Sequence, residues 1–120
     1  MRQGKSVLCI GNNPVLLNLR CALLKESGWK VLSSGSGHEG VRRFGQESVD
    51  VVVIDLNDDG AEGALIIGEL KRIKPEVPVV LLVEDDAKLA PGATRQADAM
   101  VAKAEETTVL LEVLSGLVRD

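Results

Sequence analysis

Apolar residues in this chain fall into five short unbroken runs, separated by longer stretches in which they recur at helical spacing. The clearest run is Val51, Val52, Val53 and Ile54, four β-branched residues leading straight into a carboxylate at Asp55. Without polar alternation, such a run predicts a strand buried on both faces, as in a parallel sheet covered by helices. The turn formers of Leu56-Asn57-Asp58-Asp59-Gly60 place the end of that strand at or just after Asp55. Similar runs predict strands over residues 6–10, 29–32, 79–83 and 99–102, with the third strand covering 49–55.

Between the strands the period changes. Asn13 and Pro14 have the chemistry of an N-cap and a first helical residue. Val15, Leu16, Leu19, Leu23 and Leu24 then repeat at helical spacing, and Gly28 closes the helix. Gly35, Gly37 and Gly40 predict a loose loop, with Val41 and Phe44 marking a brief second helix. Ala64, Leu65, Ile67, Leu70 and Ile73 carry a third, stopped by Pro75 and Pro78. A fourth helix is expected between Glu84 and Gln96, short or irregular because Pro91-Gly92 falls inside it. Residues 107–118 form the closing amphipathic helix, with Val109, Leu110, Val113, Leu114 and Leu117 on one face. Alternating strands and helices with no repeat, linker or low-complexity segment predict one α/β domain over residues 1–120, a three-layer sandwich on a parallel sheet.

Composition narrows the function. The chain is 45% hydrophobic and 27% charged, with a net charge of −4 and no basic block, which argues against a nucleic-acid surface. No apolar stretch is long enough to span a membrane and no signal peptide opens the chain, so a cytoplasmic protein is expected. Trp29 and Phe44 are the only aromatics, leaving the core to aliphatic residues. Cys9 and Cys21 read as small core residues in a reducing compartment, with neither a disulfide nor a metal pair expected. His38 reads as a surface residue, and Gly35-x-Gly37-x-x-Gly40 lacks the strand-to-helix context of a dinucleotide loop.

In an open α/β sheet, ligands bind outside the carboxyl ends of the strands, which is where Asp55 lies. Several short segments around it, in order and at matching spacing, resemble the receiver domains of bacterial two-component response regulators. They are Gly11-Asn12-Asn13-Pro14 after the first strand, Asp55-Leu56-Asn57 with Gly63 beyond it, Pro78-Val79-Val80-Leu81-Leu82, and Ala97-Asp98 followed by Lys103. The resemblance covers roughly residues 5–119. It implies a doubly wound, flavodoxin-like five-stranded parallel sheet of order 2-1-3-4-5, with no output domain in this chain. It also implies a signalling module rather than an enzyme, partnered by a sensor histidine kinase or another signalling protein. Asp55 matches the phosphoacceptor, Lys103 the lysine that pairs with the phosphoryl group, and the Asn57 carbonyl a backbone ligand to Mg2+.

Departures from the family pattern concentrate on the same site. Gly11 and Asn12 stand where the family carries two metal-binding acids, leaving Asn12, Asp55 and the Asn57 carbonyl as the metal set. Mg2+ dehydrates reluctantly and relies on carboxylates, so weak binding at most is expected. Asp58, Asp59 and Glu84 are the residues that could restore charge. Val83 matches the switch hydroxyl at the end of strand four, Met100 the switch aromatic, and Ala104 the proline after the lysine. Two readings stay open: a phosphoacceptor in a phosphorelay, and a phosphorylation-independent pseudo-receiver that binds a partner through its fourth helix, fifth strand and closing helix.

Overall fold

The computed structural model describes residues 4–56, 61–84 and 96–118. Its five strands are β1 (Ser6–Gly11), β2 (Lys30–Ser34), β3 (Val51–Asp55), β4 (Val79–Val83) and β5 (Ala99–Ala102). The helices are α1 (Pro14–Glu26), α2 (Gly37–Gln46), α3 (Ala61–Ile73) and α4 (Glu106–Leu117), the last entered through a 3-10 turn at Lys103–Glu105. All pairings are parallel and the order is β2-β1-β3-β4-β5, as expected from the sequence. The helix expected around Pro91 falls on residues 85–95, outside those described.

Strand alternation sorts the core into two layers. Leu8, Ile10, Val52, Ile54 and Leu81 point to one face, where Phe44 of α2 and Ile67 and Leu70 of α3 cover them. Val7, Cys9, Val51, Val53 and Leu82 point to the other, against Leu17, Cys21 and Leu24 of α1 and Leu110 and Leu114 of α4. Asp55 continues the series of Val51 and Val53 and therefore faces α1 and α4. β3 and β4 are buried at every position, which is why their sequences are continuously apolar. No helix among the described residues is long and apolar enough to cross a membrane.

Helix α1 starts as its chemistry predicts: the Asn13 side chain accepts from the Val15 and Leu16 amides, both at 3.1 Å. It ends at Ser27 and Gly28, whose φ of 97° favours glycine. Its orientation differs from the expected apolar repeat. Of Val15, Leu16, Leu19, Leu23 and Leu24, only Leu24 is buried; Val15 is 73% and Leu19 58% exposed. The buried face is Leu17, Arg20, Cys21 and Leu24, an equally good i, i+3, i+4, i+7 set. Because α1 is apolar almost all round, its periodicity fits more than one rotation. In α3 the repeat is likewise split, with Ile67 and Leu70 buried but Leu65 and Ile73 exposed.

The second correction concerns the glycines after β2. Gly37 and Gly40 are not part of a loose loop but lie buried within α2, a helix of ten residues capped by the Ser36 side chain. The Gly35–Gly40 stretch does open a helix, yet Gly37 and Gly40 are explained by packing. A Cβ on Gly37 would sit 2.6 Å from Ile66 Cγ1, and one on Gly40 2.6 Å from Ile10 Cγ1. Glycine lets α2 lie directly on β1 and α3. The ends of β1, β2, β3 and the closing helix each shift by one or two residues from the sequence reading, because the ends of regular elements fray.

Two substitutions in α2 should therefore act in opposite directions. Gly40→Ala gains about 1 kcal/mol of helix propensity but overpacks a fully buried Ile10, at about 1–3 kcal/mol, so a lower urea midpoint is expected. Gly45→Ala, whose added Cβ meets nothing within 4 Å, should raise the midpoint. Equal stabilisation by both would show that α2 does not pack as described.

Candidate functional site

Parallel strands deliver β1 and β3 side by side, so that Gly11 is in register with Asp55 at the carboxyl edge of the sheet. Asp55 is 3% exposed. A carboxylate that far from water carries a large desolvation cost unless it is paired. Two cations pair it: Lys103 Nζ stands 2.7 Å from Oδ1, and Arg20 Nη2 donates to Oδ2 at 3.0 Å. The Lys103 contact is an ion pair without hydrogen-bond alignment, whereas the Arg20 contact is aligned.

Arg20 is itself 4% exposed and is held by a second acid. Its Nε donates to Glu106 Oε2 in a short contact and its Nη2 to Glu106 Oε1 at 3.0 Å. The planar guanidinium thus forks onto one carboxylate while reaching another, a geometry open to arginine and closed to lysine. Burial draws the Arg20 pKa down, but the two carboxylates, Glu106 foremost, outweigh it and hold the group above its ordinary value. Glu106 opens α4, where a negative charge also suits the helix dipole. Arg20, Lys103, Asp55 and Glu106 carry two positive and two negative charges, so the cluster is balanced by the chain's own residues.

The remaining residues singled out in the sequence surround this cluster. Asn12 is exposed, and its Nδ2 donates to the Leu56 carbonyl at 2.8 Å, tying the loop after β1 to the end of β3. Gly11 presents no side chain; a Cβ there would sit 3.4 Å from the Asp55 carbonyl oxygen. Val83 is buried in the layer beneath α2 and α3, and Met100 is 40% exposed on β5. Glu84 lies 3.9 Å from Lys103, with its side chain exposed. Asn57, Asp58 and Asp59 lie outside the described residues. Among the described residues no group of three or more His, Cys, Asp or Glu is arranged to hold a metal ion.

The resemblance set Asp55 and Lys103 at one phosphoryl site, and the structure puts Lys103 Nζ against Asp55; Arg20 and Glu106, which join them, are residues the sequence reading did not name. Arg20 had a signal: it is the one charged residue in the Leu17, Arg20, Cys21, Leu24 set. A charge on a helix face that is otherwise core-like asks for a buried counter-ion. Glu106 had none, because only the return of the chain along α4 brings it to α1.

Comparisons with known proteins agree with this architecture. The sequence profile described as the response regulator receiver domain matches residues 7–115. The transcriptional regulatory protein GlrR of Escherichia coli (strain K12) is 34% identical over 76 residues, which are 63% of this chain and 17% of that protein. This chain spans less than half the length of each curated relative it matches. The response regulator TrrA of Thermotoga maritima, solved in complex with Mg2+ and BeF, has the same fold at 24% identity. Its TM-score is 0.84, covering 94% of this chain and 98% of that one. TrrA solved in complex with the histidine kinase ThkA also superposes with a TM-score of 0.84 at 23% identity, covering 96% and 99% of the two chains.

Removing Arg20 should be costly because it takes the paired cation from Glu106 and leaves the buried Asp55 with Lys103 alone. Arg20→Leu is expected to destabilise the chain by about 3 kcal/mol in urea unfolding, since one partner of a buried pair is lost. Arg20→Lys should recover less than half of that, as one ammonium cannot fork onto Glu106 and still reach Asp55. In a double-mutant cycle with Asp55→Asn, a coupling of about 1–2 kcal/mol is expected; additive losses would mean the two side chains do not interact.

Proposed function

The chain belongs to the response regulator receiver domain family, and from that premise we propose that it is a metal-independent pseudo-receiver, a signalling module held in one conformation by Arg20. The observation that carries this reading is the aligned 3.0 Å contact from a buried guanidinium to Asp55. Receiver domains work in two-component signalling alongside sensor histidine kinases. In this one a fixed cation occupies the acid's inner oxygen, and phosphorylation is not what selects its state.

Magnesium does not fit these residues. Gly11 and Asn12 supply no carboxylate, the Asn12 amide nitrogen is committed to the Leu56 carbonyl, and both Asp55 oxygens already face cations. At an effective dielectric near 20 and about 4 Å, a dication gains about 8 kcal/mol from one carboxylate. Arg20 and Lys103 each cost it a comparable amount at similar range, and Glu106 returns one such contribution. The terms of the cluster cancel, which leaves nothing to offset the water stripped from the ion. The same pairing draws electron density from the Asp55 oxygens, so the carboxylate is a poor nucleophile. Val83 in the switch-hydroxyl position has no hydrogen to donate to a phosphoryl oxygen.

A module that does not respond to phosphorylation acts through its surface. Val15, Leu16, Leu19 and Leu23 form an exposed apolar ridge on α1, and no exposed charge interrupts the helix between Pro14 and Leu23. Patches of this kind mark protein–protein contacts. On this reading the partner is a sensor histidine kinase or another signalling protein of the cytoplasm, and α1 is the element that meets it. The contact is then made by α1, whereas the surface expected from the sequence was the fourth helix, fifth strand and closing helix; the closing helix shares its sheet face with α1, and the expected fourth helix lies outside the described residues.

Calorimetric titration with Mg2+ should give no binding at low millimolar metal, and acetyl phosphate with Mg2+ should add no phosphoryl mass. A mass increase of one phosphoryl group at Asp55 would restore the phosphoacceptor reading. In a signalling assay, Leu19→Glu should abolish output in a folded protein, whereas Asp55→Asn should affect output only in proportion to lost stability.

A further inference from the structure

A cavity of about 240 Å³ lies between the C-terminal half of α1 and the first turns of α4. Asp55 does not line it. Its walls are apolar, with Leu23 and Leu24 contributed by α1 and Leu110 and Leu111 by α4. A cavity of about 150 Å³ walled by such side chains admits benzene. This one therefore has room for a ring or a branched aliphatic body with a short polar arm. The polar groups at its margin favour one sign of charge. Glu26 stands on the last turn of α1, where the helix dipole adds partial negative charge. Glu106 lends both oxygens to Arg20, yet its side chain keeps 20% of its surface open. Arg20 is the one cation in the lining, and it is buried, with Nε and Nη2 already bound to Glu106 and Asp55. Lys25, on the same turn as Glu26, is exposed and does not line the cavity. With two acids against one committed arginine, the margin is net negative.

We propose that this cavity binds a small organic monocation, a primary amine carried on an aromatic or branched aliphatic body. The body displaces water from the four leucines, which is the favourable term. An ammonium has three donors and no acceptor, and the margin offers it two carboxylates and the Ser27 hydroxyl. A carboxylate on the same body would meet Glu26 and Glu106 with the wrong charge, and Arg20 has little left to give it. A ligand here touches both helices, so it joins α1 to α4 in the folded state only and raises thermal stability. The inference rests on the cavity and its lining. It is independent of how Asp55 is used and of what meets the ridge on α1.

Three probes separate the parts of the ligand: phenethylammonium has body and cation, phenylacetate the body with an anion, and ethylammonium the cation with little body. Titrated into the isotope-labelled full-length chain and followed by amide NMR, phenethylammonium should shift Leu23, Leu24, Ser27, Leu110 and Leu111 saturably. It should also raise the melting temperature. Phenylacetate and ethylammonium should each bind about tenfold more weakly or not at all, one repelled by the margin and the other burying little apolar area. Glu26 is exposed and outside the ion cluster, so Glu26→Gln should fold normally and weaken phenethylammonium about threefold, the worth of one exposed ion pair. Leu111→Trp, which fills the cavity, should abolish binding in a chain whose own spectrum reports that it is folded; if it misfolds, Glu26→Gln and the probe series still decide. Shifts that never saturate or that map away from α1 and α4, phenylacetate binding as well as the amine, or no loss of affinity in Glu26→Gln would each overturn the proposal.

Discussion

A buried carboxylate at the edge of a parallel sheet has to be neutralised, and in this chain the task falls to an arginine from the neighbouring helix. Asp55 is placed by β3, whose other residues are fully committed to the core, so it cannot move out to water without dragging the strand. Arg20 meets it from α1 and is itself secured by Glu106 from α4. One guanidinium therefore ties β3, α1 and α4 together at the ligand-binding edge of the sheet. Lys103, at the end of β5, closes the second carboxylate oxygen.

That arrangement has consequences for each residue around it. With Gly11 in register beside Asp55, the end of β1 contributes backbone but no charge. Asn12 spends its amide nitrogen on the Leu56 carbonyl and acts as a clasp between two loops. On the proposed reading these are two sides of one change. Loss of acids beside Asp55 removes the reason for a divalent cation, and a resident arginine removes the room for one. A network of this type costs desolvation and returns specificity of arrangement more than raw stability, which suits a module whose use is to present one surface.

Turning Arg20 inward also sets what α1 shows to solvent. The helix has apolar residues on nearly every side, and burying the Leu17, Arg20, Cys21, Leu24 face leaves Val15, Leu16, Leu19 and Leu23 outside. The same rotation puts Cys21 into the core layer that holds Cys9. The ion cluster, the exposed ridge and the burial of Cys21 are thus three results of a single choice of helix orientation.

Much of the fold was legible along the chain. Continuous apolar runs marked β3 and β4, Asn13-Pro14 marked the start of α1, and the strand–helix alternation required a parallel sheet, because these signals depend only on local sequence and period. The contact between Asp55 and Lys103 was legible from their resemblance to a known pattern. Other features were not. Gly37 and Gly40 looked like loop residues because nothing local announces that Ile66 and Ile10 will press against them. Element order, buried strands and the position of the acid at the sheet edge were settled by sequence alone. Only the tertiary structure decided which side of α1 faced inward, and with it that Arg20, Glu106 and Asp55 meet. Helical period specifies spacing but not rotation when a helix is apolar almost all round, and the partner that breaks the tie lies far away in the chain.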